Sequence, residues 1–318
     1  MGLTTWAEPG KAVWMKDNYT EEVVQIGAFD PNVGKNKHPM RICDNGFAKF
    51  GINLLESFIG SEEEWISIDE VGFLETECED YCNLLRHLMD EKRVLAVVRK
   101  EEIPFLTEIC SREDTFVVDL DNPWGNVACV IMASGLGKRF GGNKLMADFL
   151  GNPMIQHIFE ATEGMFSRRV VVTRHKDVEE LCKGNSIDVI LHELPYRSDT
   201  VMLGMESIGT ADGCMFCPAD QPLIKAETIA ELLLGFKDKP NNIWRTSSDG
   251  MVGAPVIFPR WAFEELKNLP EGKGGSWVIK KHEEKVSIVQ VVNPYELMDV
   301  DTKEAFELLK QYKIDNPM

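Results

Sequence analysis

Residues 131–145, Ile-Met-Ala-Ser-Gly-Leu-Gly-Lys-Arg-Phe-Gly-Gly-Asn-Lys-Leu, constrain the fold of this chain more than any other stretch. The run at 127–133 is apolar and partly β-branched, the pattern of a strand buried on both faces. Four glycines (Gly135, Gly137, Gly141, Gly142) and three cations (Lys138, Arg139, Lys144) follow it. Asn152 and Pro153 then open a segment with apolar residues at helical spacing, Met154, Ile155, Ile158 and Phe159. A strand, a glycine-rich basic loop and a helix in that order make a phosphate cradle. Glycine lets backbone amides close on phosphate oxygens, and the cations offset their charge. The stretch fits neither the Walker A ending nor the dinucleotide fingerprint. A loop carrying a solvated charge cluster is the competing description.

A length of 318 residues predicts two domains. The net charge of -18 is unevenly spread: residues 1–126 hold 25 acids and 12 bases, and residues 127–318 hold 27 and 22. Such a chain repels nucleic acid and anionic membranes except where cations gather, so neither is an expected partner and the basic loop is a local exception. No apolar run approaches the ~18 residues that span a bilayer, and the N-terminus has no signal-peptide core; a cytoplasmic protein is expected. Cys214 and Cys217 have the spacing of a metal or redox pair. They lie in a strand-like run with no second pair or histidine cluster, so buried packing is the expectation. Cys78 and Cys82, four apart, are read the same way.

Gly135-x-Gly137-x-Arg139-x-Gly141-x-x-Lys144 resembles the signature of nucleotidyltransferases that act on nucleoside triphosphates. The ending at 139–145, Arg-Phe-Gly-x-Asn-Lys-Leu, is most similar to the molybdenum cofactor cytidylyltransferase and guanylyltransferase branch. The resemblance runs from about residue 126 to about 313 and implies a Rossmann-like nucleotidyltransferase fold with a mostly parallel sheet over 126–318. It places Ala133, Ser134, Gly135, Leu136, Gly137, Lys138, Arg139 and Lys144 around the nucleotide. Ser198 and Thr200 are either base or ribose contacts or, with Asp199, N-cap residues. Asp220 follows an apolar strand and matches the acid of the family's Asp-x-Pro motif, which binds Mg²⁺; otherwise it forms a turn. Residues 299–302 match an Asp-x-Asp-Thr element. Asp301 is then a second metal ligand, unless it or Thr302 only caps the next helix. Gly253 and Pro255 match a Gly-x-Pro-x-x-Phe strand on the acceptor side, and Lys273 either meets an acceptor phosphate or sits in a solvated turn.

The reaction this resemblance implies is attack by an acceptor phosphate oxygen on the α-phosphorus of CTP or GTP, with loss of pyrophosphate. The attacking group is already an anion, so positioning and charge neutralisation matter more than a protein base. Arg139 suits the departing phosphates and Lys144 the α-phosphate. Arg139, Lys144 and Asp220 are therefore the candidate catalytic residues, Mg²⁺ the cofactor, and a pterin-type phosphate the acceptor, with CTP favoured over GTP on resemblance alone. A sugar or alcohol phosphate acceptor is one alternative. A non-catalytic nucleotide-binding scaffold for molybdoenzyme maturation is another.

In residues 1–122, strand-like runs at 22–28, 65–69, 94–98 and 115–119 alternate with helical patterns at 45–59, 78–89 and 104–109, which predicts a parallel sheet. Residues 34–37 read as a hairpin tip or loop. The run at 66–75 resembles the Walker B strand of small P-loop nucleoside-triphosphatases, with Asp69 and Glu70 as its acids. No Gly-x-x-x-x-Gly-Lys-Ser/Thr occurs upstream, so the domain reads as a degenerate relative used for assembly or docking, with a molybdoenzyme or insertion chaperone as partner. The boundary is expected at 119–125, between two three-layer α/β domains.

Overall fold

The computed structural model describes residues 1–30, 40–43 and 45–316; the hairpin tip or loop expected at 34–37 lies outside them. The chain divides into two compact units, Met1–Val117 and Val118–Met318. Among the described residues no helix is long and apolar enough to cross a membrane.

The first unit contains β1 (Gly2–Glu8), β2 (Ala12–Asp17), β3 (Val23–Phe29), β4 (Met40–Ile42), α1 (Ile52–Ile59), β5 (Trp65–Val71), α2 (Glu79–Glu91), β6 (Arg93–Val98) and α3 (Pro104–Cys110). Its sheet runs β4-β3-β2-β1-β5-β6. The expectation of a parallel sheet is corrected here: β1, β5 and β6 are parallel, but β1 to β4 form an antiparallel meander. The reading overlooked β1 and β2, whose Thr, Trp, Glu and Lys residues mask the alternation. Pro9-Gly10 at their turn, with Gly10 at φ 70°, is the hairpin signal that was there to be read. The strand expected at 115–119 is absent. Phe116, Val117 and Val118 are exposed, and β-propensity expresses a fit to a packed sheet rather than a backbone preference. Of the Walker B-like acids, Glu70 is ion-paired with Arg99, and the Asp69 carbonyl accepts from Thr5 Oγ1 at 2.8 Å.

The second unit contains β7 (Val127–Ala133), β8 (Asp148–Phe149), β9 (Asn152–Pro153), α4 (Gln156–Ala161), β10 (Arg168–Thr173), α5 (Lys176–Gly184), β11 (Asp188–Leu191), α6 (Arg197–Ser207), β12 (Gly213–Pro218), α7 (Ala226–Asp238), β13 (Ile243–Ser248), β14 (Met251–Pro259), α8 (Phe263–Lys267), α9 (Ser276–Lys281), β15 (Val286–Gln290) and α10 (Lys303–Asp315). Its main sheet runs β11-β10-β7-β12-β14-β13-β15. All neighbours are parallel except at β14, which opposes both β12 and β13. The helix expected to open at 152 begins at Gln156, because 152–153 pairs with β8 in a small hairpin whose turn, Leu150-Gly151, has positive φ at both residues.

Alternation along β7 explains the layers. Val127, Cys129, Ile131 and Ala133 enter one core with α4, α5, α7 and α10, while Ala128 and Val130 enter a second with α6, α8 and α9. Cys214 and Cys217 divide between the same two cores, so they cannot act as a pair, and burial pushes both thiols well up. Gly204 lets α6 lie close on the sheet, since a Cβ there would stand 2.6 Å from Val130 Cγ1. Strand order reverses after β7: β10 and β11 lie to one side, β12 and β14 to the other. The crevice outside the carboxyl ends of β7 and β12 is the place where open α/β sheets bind ligands.

Candidate active site

A cleft of about 790 Å³ opens at that edge. On one side it is lined by the loop after β7, from Ser134 to Arg139 in sequence, and on the other by Gly253, Ala254 and Val256 of β14. Ala133 is buried beneath it in the strand.

The loop is held by its own backbone. Phe140 N and Gly141 N both donate to Gly137 O, at 3.0 and 2.9 Å. Gly137 has φ 59°, and a Cβ there would stand 2.1 Å from Gly142 O. A side chain would therefore meet both a strained backbone and a carbonyl that has no room to move. Gly137→Ala is expected to open the loop and weaken nucleoside-triphosphate binding about tenfold or more, roughly 1.4 kcal/mol, in an equilibrium titration. An unchanged affinity would show that the loop does not touch the phosphates. Asn143 fastens the far end, donating from Nδ2 to both Asp177 oxygens at 2.9 Å while its Oδ1 accepts from Leu145 N.

Four of the residues singled out in the sequence meet in one ion cluster. Lys144, 6% exposed, places Nζ 2.6 Å from Asp220 Oδ2 and 3.2 Å from Asp301 Oδ1. Arg139, on the open side, donates from Nη2 to Asp301 Oδ2 at 2.7 Å. Asp220 stands just past the end of β12, and its carbonyl accepts from Val300 N at 2.9 Å, which ties the two acidic segments together. Asp299 was missed as a member. Gln221 Nε2 donates to it at 2.9 Å, and burial, with Asp220 and Asp301 nearby, holds its carboxyl above the usual range.

Ser198 and Thr200 are not the N-cap of α6. The cap position is Tyr196, whose amide donates to Asp199 Oδ2 at 2.8 Å. Both hydroxyl residues lie buried in the first turn. Ser198 Oγ accepts from Gly272 N, and Thr200 lines the cleft. The cap of α10 is Thr302, which accepts from Ala305 N and leaves Asp301 to the ion cluster. Gly253 lines the cleft while Pro255 is buried in β14; Lys273 is exposed on its turn and does not line the cleft.

Sequence reading also passed over His192 and Arg245. Ser134 Oγ donates to Val172 O at 3.0 Å, which commits its one hydrogen. His192 Nε2, 2.8 Å from that hydroxyl, must therefore be the protonated nitrogen, leaving Nδ1 buried without a partner. Burial, with Arg174 nearby, holds this imidazole below its ordinary pKa. Neither residue belongs to a local motif; each acquires meaning only from what the fold sets beside it.

Two family models match the chain, "MobA-like NTP transferase domain" over residues 129–286 and "NTPase" over 11–127. A probable molybdenum cofactor guanylyltransferase of Aquifex aeolicus (strain VF5) is 25% identical over 185 residues, which is 55% of this chain and 86% of the relative. A 3-deoxy-manno-octulosonate cytidylyltransferase of Francisella philomiragia is 27% identical over 138 residues, 42% of this chain and 55% of that relative. Among solved structures, Rv0371c from Mycobacterium tuberculosis H37Rv superposes with a TM-score of 0.54 at 19% identity, covering 58% of this chain and 98% of the other. The same protein is also solved as a complex with manganese.

Proposed function

We propose that this chain, whose residues 129–286 match the MobA-like NTP transferase domain, transfers CMP or GMP from the triphosphate to a phosphate-bearing acceptor. Molybdopterin is the acceptor this reading favours, with pyrophosphate as the second product. The observation that carries it is the convergence of Lys144, Arg139, Asp220 and Asp301 beside a loop that admits only glycine at 137.

Whether these residues suit Mg²⁺ follows from their donor chemistry. Oxygens of Asp220, past the end of β12, and of Asp301, in the segment before α10, approach one positive centre, the Lys144 ammonium, and both are hard carboxylate donors. Among the described residues no cluster of three or more His, Cys, Asp or Glu side chains is arranged to hold a metal. Two carboxylates, with phosphate oxygens and water completing the shell, match the habit of Mg²⁺ at triphosphates. When bound, the ion would neutralise charge and join the triphosphate to the two aspartates.

The protein's own groups do the rest by position. Backbone amides of the loop face the phosphates, Lys144 offers a point charge near the α-phosphate, and Arg139 offers a fork to the leaving pyrophosphate. The acceptor phosphate needs no deprotonation at neutral pH, so no base is assigned. Ser198 and Thr200, buried in the first turn of α6, are the base or ribose contacts in this reading. A sugar-acid or sugar-phosphate acceptor is the second reading, favoured by the similarity to a 3-deoxy-manno-octulosonate cytidylyltransferase. Residues 1–122 would serve as a docking unit.

Pyrophosphate release should be followed with CTP and with GTP, with a phosphorylated pterin, with a sugar phosphate and with no acceptor. Acceptor-dependent release with the pterin is the expected result. EDTA should remove it and Mg²⁺ restore it. Release that ignores the acceptor, or survives chelation, would refute the reading.

A further inference from the structure

β13 carries a charge where its neighbours carry apolar side chains. Arg245 pairs with Val256 of β14, and Val256 pairs with Phe216 of β12, so the three stand in one cross-strand row on the same face of the sheet. Val256 and Phe216 belong to the apolar core on that face, as does Ile243, two residues before the arginine. Arg245 Nη2 donates to Gly253 O at 3.2 Å, while its Nε is buried with no partner. Burial alone depresses its pKa, with no carboxylate offsetting the loss.

In a chain of net charge -18, a guanidinium left unneutralised on an apolar face has no structural rationale. A half-buried cation without a counter-ion carries a desolvation cost that no opposite charge offsets. The interaction that makes it favourable must come from a ligand, and Arg245 lines the cleft together with Gly253 and Val256. It lies two strands beyond β12, roughly 10 Å across the sheet at ordinary strand spacing. That sets it away from the glycine loop and Lys144, on the side opposite the nucleotide's phosphates.

We propose that Arg245 is the anion anchor of the acceptor half of the cleft, its free edge taking oxygens of a phosphate carried by the acceptor. The proposal rests on the nucleotidyl-transfer reading for the identity of that acceptor, though not for the existence of the anion site. A planar fork holds a phosphate by two parallel hydrogen bonds and so fixes its orientation as well as its place. This is what an attacking phosphate requires, since its alignment replaces base catalysis.

The test is calorimetric titration of inorganic phosphate into the full-length protein, with and without a saturating non-hydrolysable CTP analogue. With the analogue occupying the glycine loop, wild-type protein is expected to keep one phosphate site. Arg245→Met should weaken that site at least tenfold and Arg245→Lys by less, because the ammonium keeps the charge and loses the fork. Affinity for the analogue should be the same in all three. Thermal melting without ligand should show Arg245→Met no less stable than wild type, since it removes an unpaired charge. Equal phosphate affinity in wild type and Arg245→Met, no phosphate site in wild type, or a clear fall in Tm in the methionine variant would each overturn the proposal. If the analogue itself fails to bind wild type, the nucleotidyl-transfer reading falls. The phosphate titrations without analogue still decide the arginine.

Discussion

Changing Lys144 to methionine is expected to lower kcat for nucleotidyl transfer about 10²- to 10³-fold, the range seen when one transition-state donor is removed. Methionine has nearly the same reach and an apolar stem, and Lys144 is already buried along its length, so packing is largely kept. What is lost is a cation 2.6 Å from one carboxylate and 3.2 Å from another, the charge that the proposed reaction sets against the α-phosphate. KM for the triphosphate should rise far less than kcat falls, because Arg139 and the loop amides remain. Steady-state pyrophosphate release at saturating CTP or GTP measures this. A kcat within threefold of wild type would remove Lys144 from the chemistry.

Asp220→Asn should be the most damaging single change, with turnover down about 10³-fold or more if the carboxylate holds the metal that clamps the triphosphate. Asparagine preserves the shape and the strand-end turn, and the Asp220 backbone carbonyl still accepts from Val300 N. The loss should appear as a much weaker dependence on Mg²⁺, read independently by Mn²⁺ binding in calorimetry. Asp301→Asn should cost less, because that carboxylate is more open to water, at 44% against 23% side-chain exposure, and is shared with Arg139. Equal Mn²⁺ affinity in wild type and Asp220→Asn would end the metal assignment.

That the glycine-rich loop and the acids at 220 and 301 would be drawn to one cleft was legible in sequence because their signals are local. Glycines at fixed spacing and an acid at a strand end carry their meaning in a few consecutive residues. The rest depended on register. Arg245 reads as an ordinary strand cation until Phe216 and Val256 are placed beside it in one row. Asp299 and Gln221 matter only once the segment before α10 folds back on the end of β12. In the first unit, the Pro9-Gly10 turn gave away a hairpin that strand alternation did not, and 115–119 had the composition of a strand but no sheet to join.

The reversed direction of β14 has a consequence for how such an enzyme can change. β7 and β12 carry the glycine-rich loop and Asp220 at their finishing ends, whereas the hairpin joining β13 to β14 turns over at the same rim, through Asp249-Gly250. One wall of the cleft is thus built on strand ends that feed into loops, and the other on Arg245 of β13 and Gly253, Ala254 and Val256 of β14. Side chains on that second wall can be exchanged without altering the turn at Gly137 that holds the glycine-rich loop. New co-substrates can therefore be recruited at one wall while the opposite wall keeps its chemistry.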